Sequence, residues 1–293
     1  MNGRGGRAER VLVTGGLGLL GREIAEAFRD RSELRITDRE ECDVTSLPEC
    51  RREIESFRPD TVIHCAAYTA VDRAEEEPEA AQAVNAGGTG NVALACRERG
   101  TLLVTFGTDY VFDGALSRPY REDDPARPLS VYGSSKLSAE RAMRAAGGEH
   151  LLIRTQWLYG HGGRNFITTI LGKARRGEML RVASDQTGCP TYARDLVQAV
   201  LRLLEAGARG TVHFSNGGET TWYGLAGYIL DLSGLKGAVL LPAATRDLPY
   251  PAPRPTYSVL SKEKYRRITG EIPRPWEEAV EEFLESMKGR GGH

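Results

Sequence analysis

Residues 11–23 read VLVTGGLGLLGRE, and the fold of the chain turns on how that stretch is understood. A run rich in β-branched residues ends at Thr14, and three glycines follow at a spacing of three, Gly15, Gly18 and Gly21, where a helix would open. In such a turn each glycine has its own task. The first permits a tight bend, the second removes a side chain where a pyrophosphate must approach backbone N–H groups, and the third lets helix and strand pack closely. Glycine enters turns for backbone reasons alone. The triplet points to a dinucleotide because it stands between the first strand and the first helix.

Outward from that turn, RVLVT, ELRIT, DTVIHC, TLLVTF and HLLIR alternate with longer, charged, Ala-rich segments as far as Arg154. This alternation predicts an α/β fold, a Rossmann-type doubly wound parallel sheet with helices on its faces. Residues 78–99 start at Pro78 and stop before Gly100, the punctuation of one helix. Beyond Arg154 the pattern loosens into loops such as LYGHGGRN and DLPYPAPRPTYS, with helical stretches near 165–176, 191–206, 222–232 and 276–287. The expected division is a dinucleotide-binding domain over 1–154, with a returning segment near 174–213, and a smaller C-terminal α/β substrate-binding domain over 155–293 that closes one shared cleft.

Composition narrows the function. Across 293 residues, 39 Lys and Arg face 40 Asp and Glu, a formal charge of −1. No basic field exists to draw nucleic acid or a membrane surface, and small-molecule chemistry is favoured. The five cysteines are odd in number and form no C-x-x-C pair, which suits reduced thiols and a cytoplasmic location. No segment is long and apolar enough to span a bilayer, and the basic start MNGRGGRAER lacks a signal core and reads as a short mobile arm. The five histidines lack zinc-ligand spacing, so no metal is expected. The acidic run at 75–79 reads as a solvated helix start.

In an open parallel sheet ligands lie beyond the carboxyl ends of the strands. Asp38 ends the second strand, where an acid can accept hydrogen bonds from the adenosine ribose diol, favouring NADH. Arg39 follows directly and could pair with the 2′-phosphate of NADPH. After the third strand, the small Cys65, Ala66 and Ala67 would let a flat cofactor pass close to the backbone, and after the fourth come Thr108 and Asp109. Tyr132 and Lys136 share one face of the next helix at a spacing of i, i+4. Gathered over a nicotinamide, these groups would reduce a carbonyl. Tyr132 donates the proton, Lys136 lowers its pKa and Thr108 bonds the carbonyl oxygen.

The glycine triplet, Thr108 and Tyr132-x-x-x-Lys136 resemble the extended short-chain dehydrogenase/reductase superfamily. AAYTAVDRAEEEPEAAQAVNA, TDYVFDG, PLSVYGSSKLSAE, LLIRTQWLYG, NFITTIL, SDQTGCPT and APRPTYSVL together resemble the dTDP-4-dehydrorhamnose reductase family, over almost the whole chain. The resemblance implies NADPH or NADH as cofactor, surrounded by Gly18, Leu19, Leu20, Asp38, Asp43, Val44, Ala67, Tyr68, Thr69, Phe106, Tyr132 and Lys136. It also implies a dTDP-sugar facing Thr108, Asp109 and Trp157, with Arg254 at its diphosphate, and it admits a homodimer. The implied reaction reduces the C4 ketone of dTDP-4-dehydro-L-rhamnose to dTDP-L-rhamnose.

Gly107 departs from the family, which usually has serine there, and is expected to loosen the backbone beside Thr108; RPTYSVL departs in its middle residues. Three rivals remain. A dehydratase would want an acid beside Asp109, where Tyr110 stands. Another nucleotide-deoxysugar 4-ketoreductase fits the same residues. A non-catalytic NADP-binding regulatory subunit, like that of methionine adenosyltransferase, is disfavoured by the presence of Thr108, Tyr132 and Lys136.

Overall fold

The computed structural model describes residues 9–235 and 237–290, and the mobile arm expected at the start of the chain lies outside them. The first half runs β1 (Glu9–Thr14), α1 (Leu19–Phe28), β2 (Ser32–Thr37), α2 (Leu47–Phe57), β3 (Thr61–His64), α3 (Pro78–Gln82), α4 (Thr89–Arg99), β4 (Leu102–Thr108), α5 (Val131–Ala146) and β5 (His150–Thr155). The second half adds β6 (Leu158–Tyr159), α6 (Phe166–Arg175), β7 (Leu180–Ala183), β8 (Thr187–Gly188), β9 (Thr191–Tyr192), α7 (Ala193–Glu205) and β10 (Gly210–His213). It closes with β11 (Thr220–Thr221), α8 (Trp222–Leu232), β12 (Leu240–Ala243), α9 (Glu263–Thr269) and α10 (Trp276–Arg290).

Six parallel strands form the main sheet in the order β10-β5-β4-β3-β1-β2. Val11, Leu12 and Val13 are fully buried. A strand covered on both faces reads as such a continuous apolar run. One face carries α1 and α7, through Ile24, Phe28, Leu196 and Val200, and the other carries α2 and α4, through Ile54, Phe57, Val92 and Cys96. β2 lies on one side of β1 and β3 on the other, so a crevice opens at the ends of β1 and β3, where the strand order reverses.

Of residues 174–213, those from Ala193 onward join this layer, with α7 against α1 and Val212 of β10 beside Ile153 of β5. Leu180–Ala183 instead pair with Leu240–Ala243 in a second body, whose core is Ile170, Leu171, Leu225, Ile229, Val280 and Phe283. The apolar face of α7 decides the matter, because Leu196, Val197, Val200 and Leu203 recur at helical spacing and bury against the sheet.

The helix expected over 78–99 contains a π-helical turn at Ala83–Gly88. Val44 crowds this turn so closely that a Cβ on Gly88 would sit 2.8 Å from its methyl. The bulge turns Asn85 inward, where it accepts from the Tyr68 N–H at 2.9 Å and donates to Ser135 on α5 at 2.9 Å. It thereby ties the loop after β3 to the helix bearing Tyr132. The acidic run is also less solvated than expected: Glu75 accepts from the Val131 N–H at 2.8 Å, and Glu77 from the Tyr68 hydroxyl at 2.9 Å. Orphan N–H groups at the start of α5 attract such a carboxylate.

Candidate active site

The glycine turn is built as its spacing predicts. Gly15 has φ +68, and a Cβ there would collide with the Ala66 backbone; a Cβ on Gly21 would collide with the Gly15 carbonyl. Gly18 caps α1 without any side-chain hydrogen bond, so that helix end offers free N–H groups. Asp38 braces the turn, accepting from the Leu17 N–H at 3.0 Å. Arg39 is exposed, 3.7 Å from the Asp43 carboxylate, which also accepts from the Thr45 hydroxyl at 2.7 Å. Val44 is a core residue on the α2 and α4 face.

Parallel pairing sets the proton-handling groups side by side. Thr108 ends β4 in register with Thr155 of β5, and its hydroxyl donates to Asp109 at 3.1 Å while accepting from the Tyr110 N–H at 3.2 Å. The other oxygen of the Asp109 carboxylate accepts from Ser258, in the divergent RPTYSVL segment, at 2.6 Å. Burial raises the Asp109 carboxyl to about 6 against the pull of Ser258 and Thr108.

Ser130 caps α5 by accepting from the Gly133 N–H at 3.1 Å, which fixes the first turn and Tyr132 with it. The Tyr132 ring meets Tyr110 edge-on with centroids 5.7 Å apart. Burial in the cleft pushes its phenol up to about 12, the Thr108 hydroxyl pulls it down, and the Asp109 carboxylate pushes it further up. Lys136 lies one turn further along α5 and lines the same cavity. Its ammonium donates to the Phe106 carbonyl at 2.8 Å; burial lowers it to about 8, while the charge of Glu140, one turn along α5, raises it. Burial and that ammonium hold His64 neutral, down at about 3, between Thr14 at 2.7 Å and Thr89 at 3.2 Å.

Gly107 does not loosen the strand. It is buried beside Arg154, and a Cβ there would approach the Arg154 side chain to 2.8 Å and a Glu140 oxygen to 3.1 Å. Arg154 grips Glu140 through two hydrogen bonds of 2.8 Å, and the missing side chain makes room for this buried pair.

These elements enclose a cavity of about 480 Å³. Of the residues singled out in the sequence, Gly15, Gly18, Leu19, Leu20, Gly21, Ala66, Ala67, Thr69, Phe106, Thr108, Asp109, Tyr132, Lys136 and Trp157 line it. Asp38, Arg39, Asp43, Val44 and Tyr68 stand behind or beside that lining. Arg254 faces a neighbouring groove, where it pairs with Asp72 at 2.7 Å and lies 4.1 Å over the Tyr250 ring.

Sequence reasoning missed Thr155, Gln156, Arg164 and Trp222 in the lining. Trp157 has φ +48 and stacks on Trp222 with centroids 3.5 Å apart. A Cβ on Gly188 would strike the Trp157 ring, so that glycine admits the indole. A left-handed backbone at a bulky residue is unfavourable and persists only where its surroundings fix it, often at functional sites. For Trp222 the only local signal is the capping Thr221, which marks the start of a helix and says nothing of where the helix packs.

The fit to a dinucleotide rests on this geometry: an uncapped helix start, a turn that only glycine can make, and a cleft beyond β1 and β3 at the point where the strand order reverses. Joined to a Tyr-x-x-x-Lys helix that opens on the same cleft, it places the chain among the extended short-chain dehydrogenases/reductases. Residues 9–288 match the family described as RmlD substrate binding domain, and the chain belongs to that family. It is 39% identical to a dTDP-4-dehydrorhamnose reductase of Streptomyces griseus, over 97% of this chain and 95% of that protein. It is also 39% identical to the spore coat polysaccharide biosynthesis protein SpsK of Bacillus subtilis (strain 168), over 94% and 97%. A solved dTDP-4-dehydrorhamnose reductase of Bacillus anthracis in complex with NADP superposes with a TM-score of 0.91 at 34% identity, covering 95% of this chain and 99% of that one.

Proposed function

We propose that this chain is an oxidoreductase that uses NADPH or NADH to reduce the C4 ketone of dTDP-4-dehydro-L-rhamnose, giving dTDP-L-rhamnose. The observation that carries the reading is the convergence of Thr108, Tyr132 and Lys136 with the glycine turn on one cavity. The backbone of Gly15, Gly18 and Gly21 would hold the pyrophosphate, Asp38 the ribose diol, and Arg39 a 2′-phosphate. Leu19, Leu20, Ala66, Ala67, Tyr68, Thr69, Phe106, Asp43 and Val44 complete the proposed surroundings of the cofactor.

When bound, a reduced nicotinamide supplies a hydride to the carbonyl carbon. Tyr132 gives its hydroxyl proton to the carbonyl oxygen. A phenol held at about 12 is fully protonated at neutral pH and is still a stronger acid than the alcohol formed. Thr108 holds the oxygen while this occurs. Lys136, charged below about 8, offsets the phenolate left on Tyr132. Asp109 and Trp157 would contact the sugar, and Arg254 the diphosphate from the adjoining groove.

Incubating the purified chain with dTDP-4-dehydro-L-rhamnose and NADPH, following cofactor oxidation and separating the sugar products, tests this reading. dTDP-L-rhamnose should appear in step with oxidation. Tight NADPH binding without oxidation would sink it in favour of a binding subunit.

The location that fits this reading is the cytoplasm. All five cysteines are free thiols, and among the described residues no helix is long and apolar enough to cross a membrane.

A further inference from the structure

Two residues that line the cavity each carry a buried polar atom without a hydrogen-bond partner: the Thr155 hydroxyl oxygen and the Gln156 side-chain nitrogen. Gln156 is 2% exposed and Thr155 8%. The orientation of the amide is set by the protein, because the Cys189 backbone N–H, which can only donate, reaches the Gln156 oxygen at 3.2 Å. The amide nitrogen is thereby left as the free end, with hydrogens to donate. Thr155 stands beside Thr108 across the β4–β5 register, and Trp157, next in the chain, begins the indole stack. The other two orphaned atoms among the described residues, on Tyr159 and Thr191, do not line this cavity. Buried donors left unpaired are unfavourable, and in native proteins each one asks for a partner.

We infer that Thr155 and Gln156 form a polar subsite that receives an uncharged hydroxyl or carbonyl oxygen of a bound ligand. An amide and a hydroxyl suit an uncharged oxygen, whereas a phosphate calls for Arg or Lys. The inference rests on the reductase reading, which offers two such oxygens: the carboxamide of the nicotinamide and a hydroxyl of the deoxysugar.

Two variants separate these sources. Gln156→Glu keeps an acceptor for Cys189 and replaces the donor with an oxygen, while Thr155→Val keeps shape and removes the hydroxyl. For each, NADPH affinity is measured by titration without sugar, and dTDP-sugar affinity by KM and by titration of dTDP-L-rhamnose.

The subsite predicts that Gln156→Glu weakens one ligand about 10-fold or more, and that Thr155→Val weakens the same ligand about 3- to 10-fold. Whichever ligand moves identifies the oxygen. Thr155→Val should also leave the Tm of the free protein unchanged or higher, since it removes an unpaired buried group. Wild-type affinity for both ligands in folded Thr155→Val protein overturns the subsite, whether or not Gln156→Glu folds. A wild-type protein that binds both ligands but turns over neither overturns the reaction and leaves these affinity comparisons decisive.

Discussion

In the sheet, the place of a side chain follows from its strand. Gly15 comes after β1, Ala66 after β3, and Thr108 and Thr155 end β4 and β5; parallel pairing brings them to one edge. In the C-terminal body the contacts join distant parts of the chain instead. Trp157 stacks on Trp222, β7 pairs with β12, and Arg254 reaches back to Asp72. The contrast divides the labour: groups that handle the proton stand on the sheet and on α5, while Trp157, proposed to contact the sugar, packs with the second body. Sites on regular elements are held most tightly, and loops are freer to vary in what they bind.

Substitutions on either side of this division should have different effects. The largest effect is expected for Lys136→Met, which removes a buried ammonium from the cavity that Tyr132 also lines. It should cut turnover at least as much as loss of the proton donor, and weaken NADPH binding about 10- to 100-fold besides. Rapid kinetics and a cofactor titration separate the two losses. Next comes Tyr132→Phe, which should lower turnover by about 10²- to 10⁴-fold with cofactor affinity intact. Equal loss of NADPH binding would show that the ring supports the site rather than the chemistry.

Trp157→Ala works from the other side. It should raise KM for the dTDP-sugar and leave NADPH affinity almost unchanged, because the indole stack belongs to the second body. A matching fall in both affinities would show that the two bodies act as one. Smaller still is Asp38→Ala, which should weaken NADH more than NADPH by removing ribose hydrogen bonds and relieving repulsion of a 2′-phosphate. Since Asp38 also holds the Leu17 N–H, some loss for both cofactors is expected; what tests the assignment is the ratio of the two.

The pH dependence belongs to the same comparison. Lys136 is charged below about 8 and loses its charge above it, so kcat/KM should fall as pH rises through that value. The Glu140 charge raises the Lys136 pKa, so Glu140→Gln should move the fall to lower pH. An unmoved profile would detach Glu140 from the site.

What could be read in the sequence follows the same boundary. Strands β1 to β5, the glycine turn and the Tyr132–Lys136 helix were all legible, because each is specified by neighbours in the chain: buried runs, a glycine spacing, a helical period. The π turn at Ala83–Gly88 was not, since the crowding comes from Val44 far upstream. Gly107 was misjudged for a like reason: the Arg154–Glu140 pair that fills its space is brought there by β5 and α5. Trp222 and Gln156 were overlooked because their meaning depends on where α8 and Cys189 lie in space. Arg254, expected at a diphosphate, pairs with Asp72 from the loop after β3 and lines a second groove, a placement that only the folded chain reveals.

Isotope transfer shows whether a carbonyl is reduced in the cleft between the sheet and the second body. NADPH carrying deuterium at the transferable position is incubated with dTDP-4-dehydro-L-rhamnose and the purified chain, and the product is read by mass spectrometry and NMR. One deuterium at C4 of dTDP-L-rhamnose, formed by the wild-type protein and about 10²-fold or more slowly by Tyr132→Phe, is the predicted result. Unlabelled product would rule out hydride transfer from the nicotinamide, and label transferred equally fast without the Tyr132 hydroxyl would rule out Tyr132 as the proton donor.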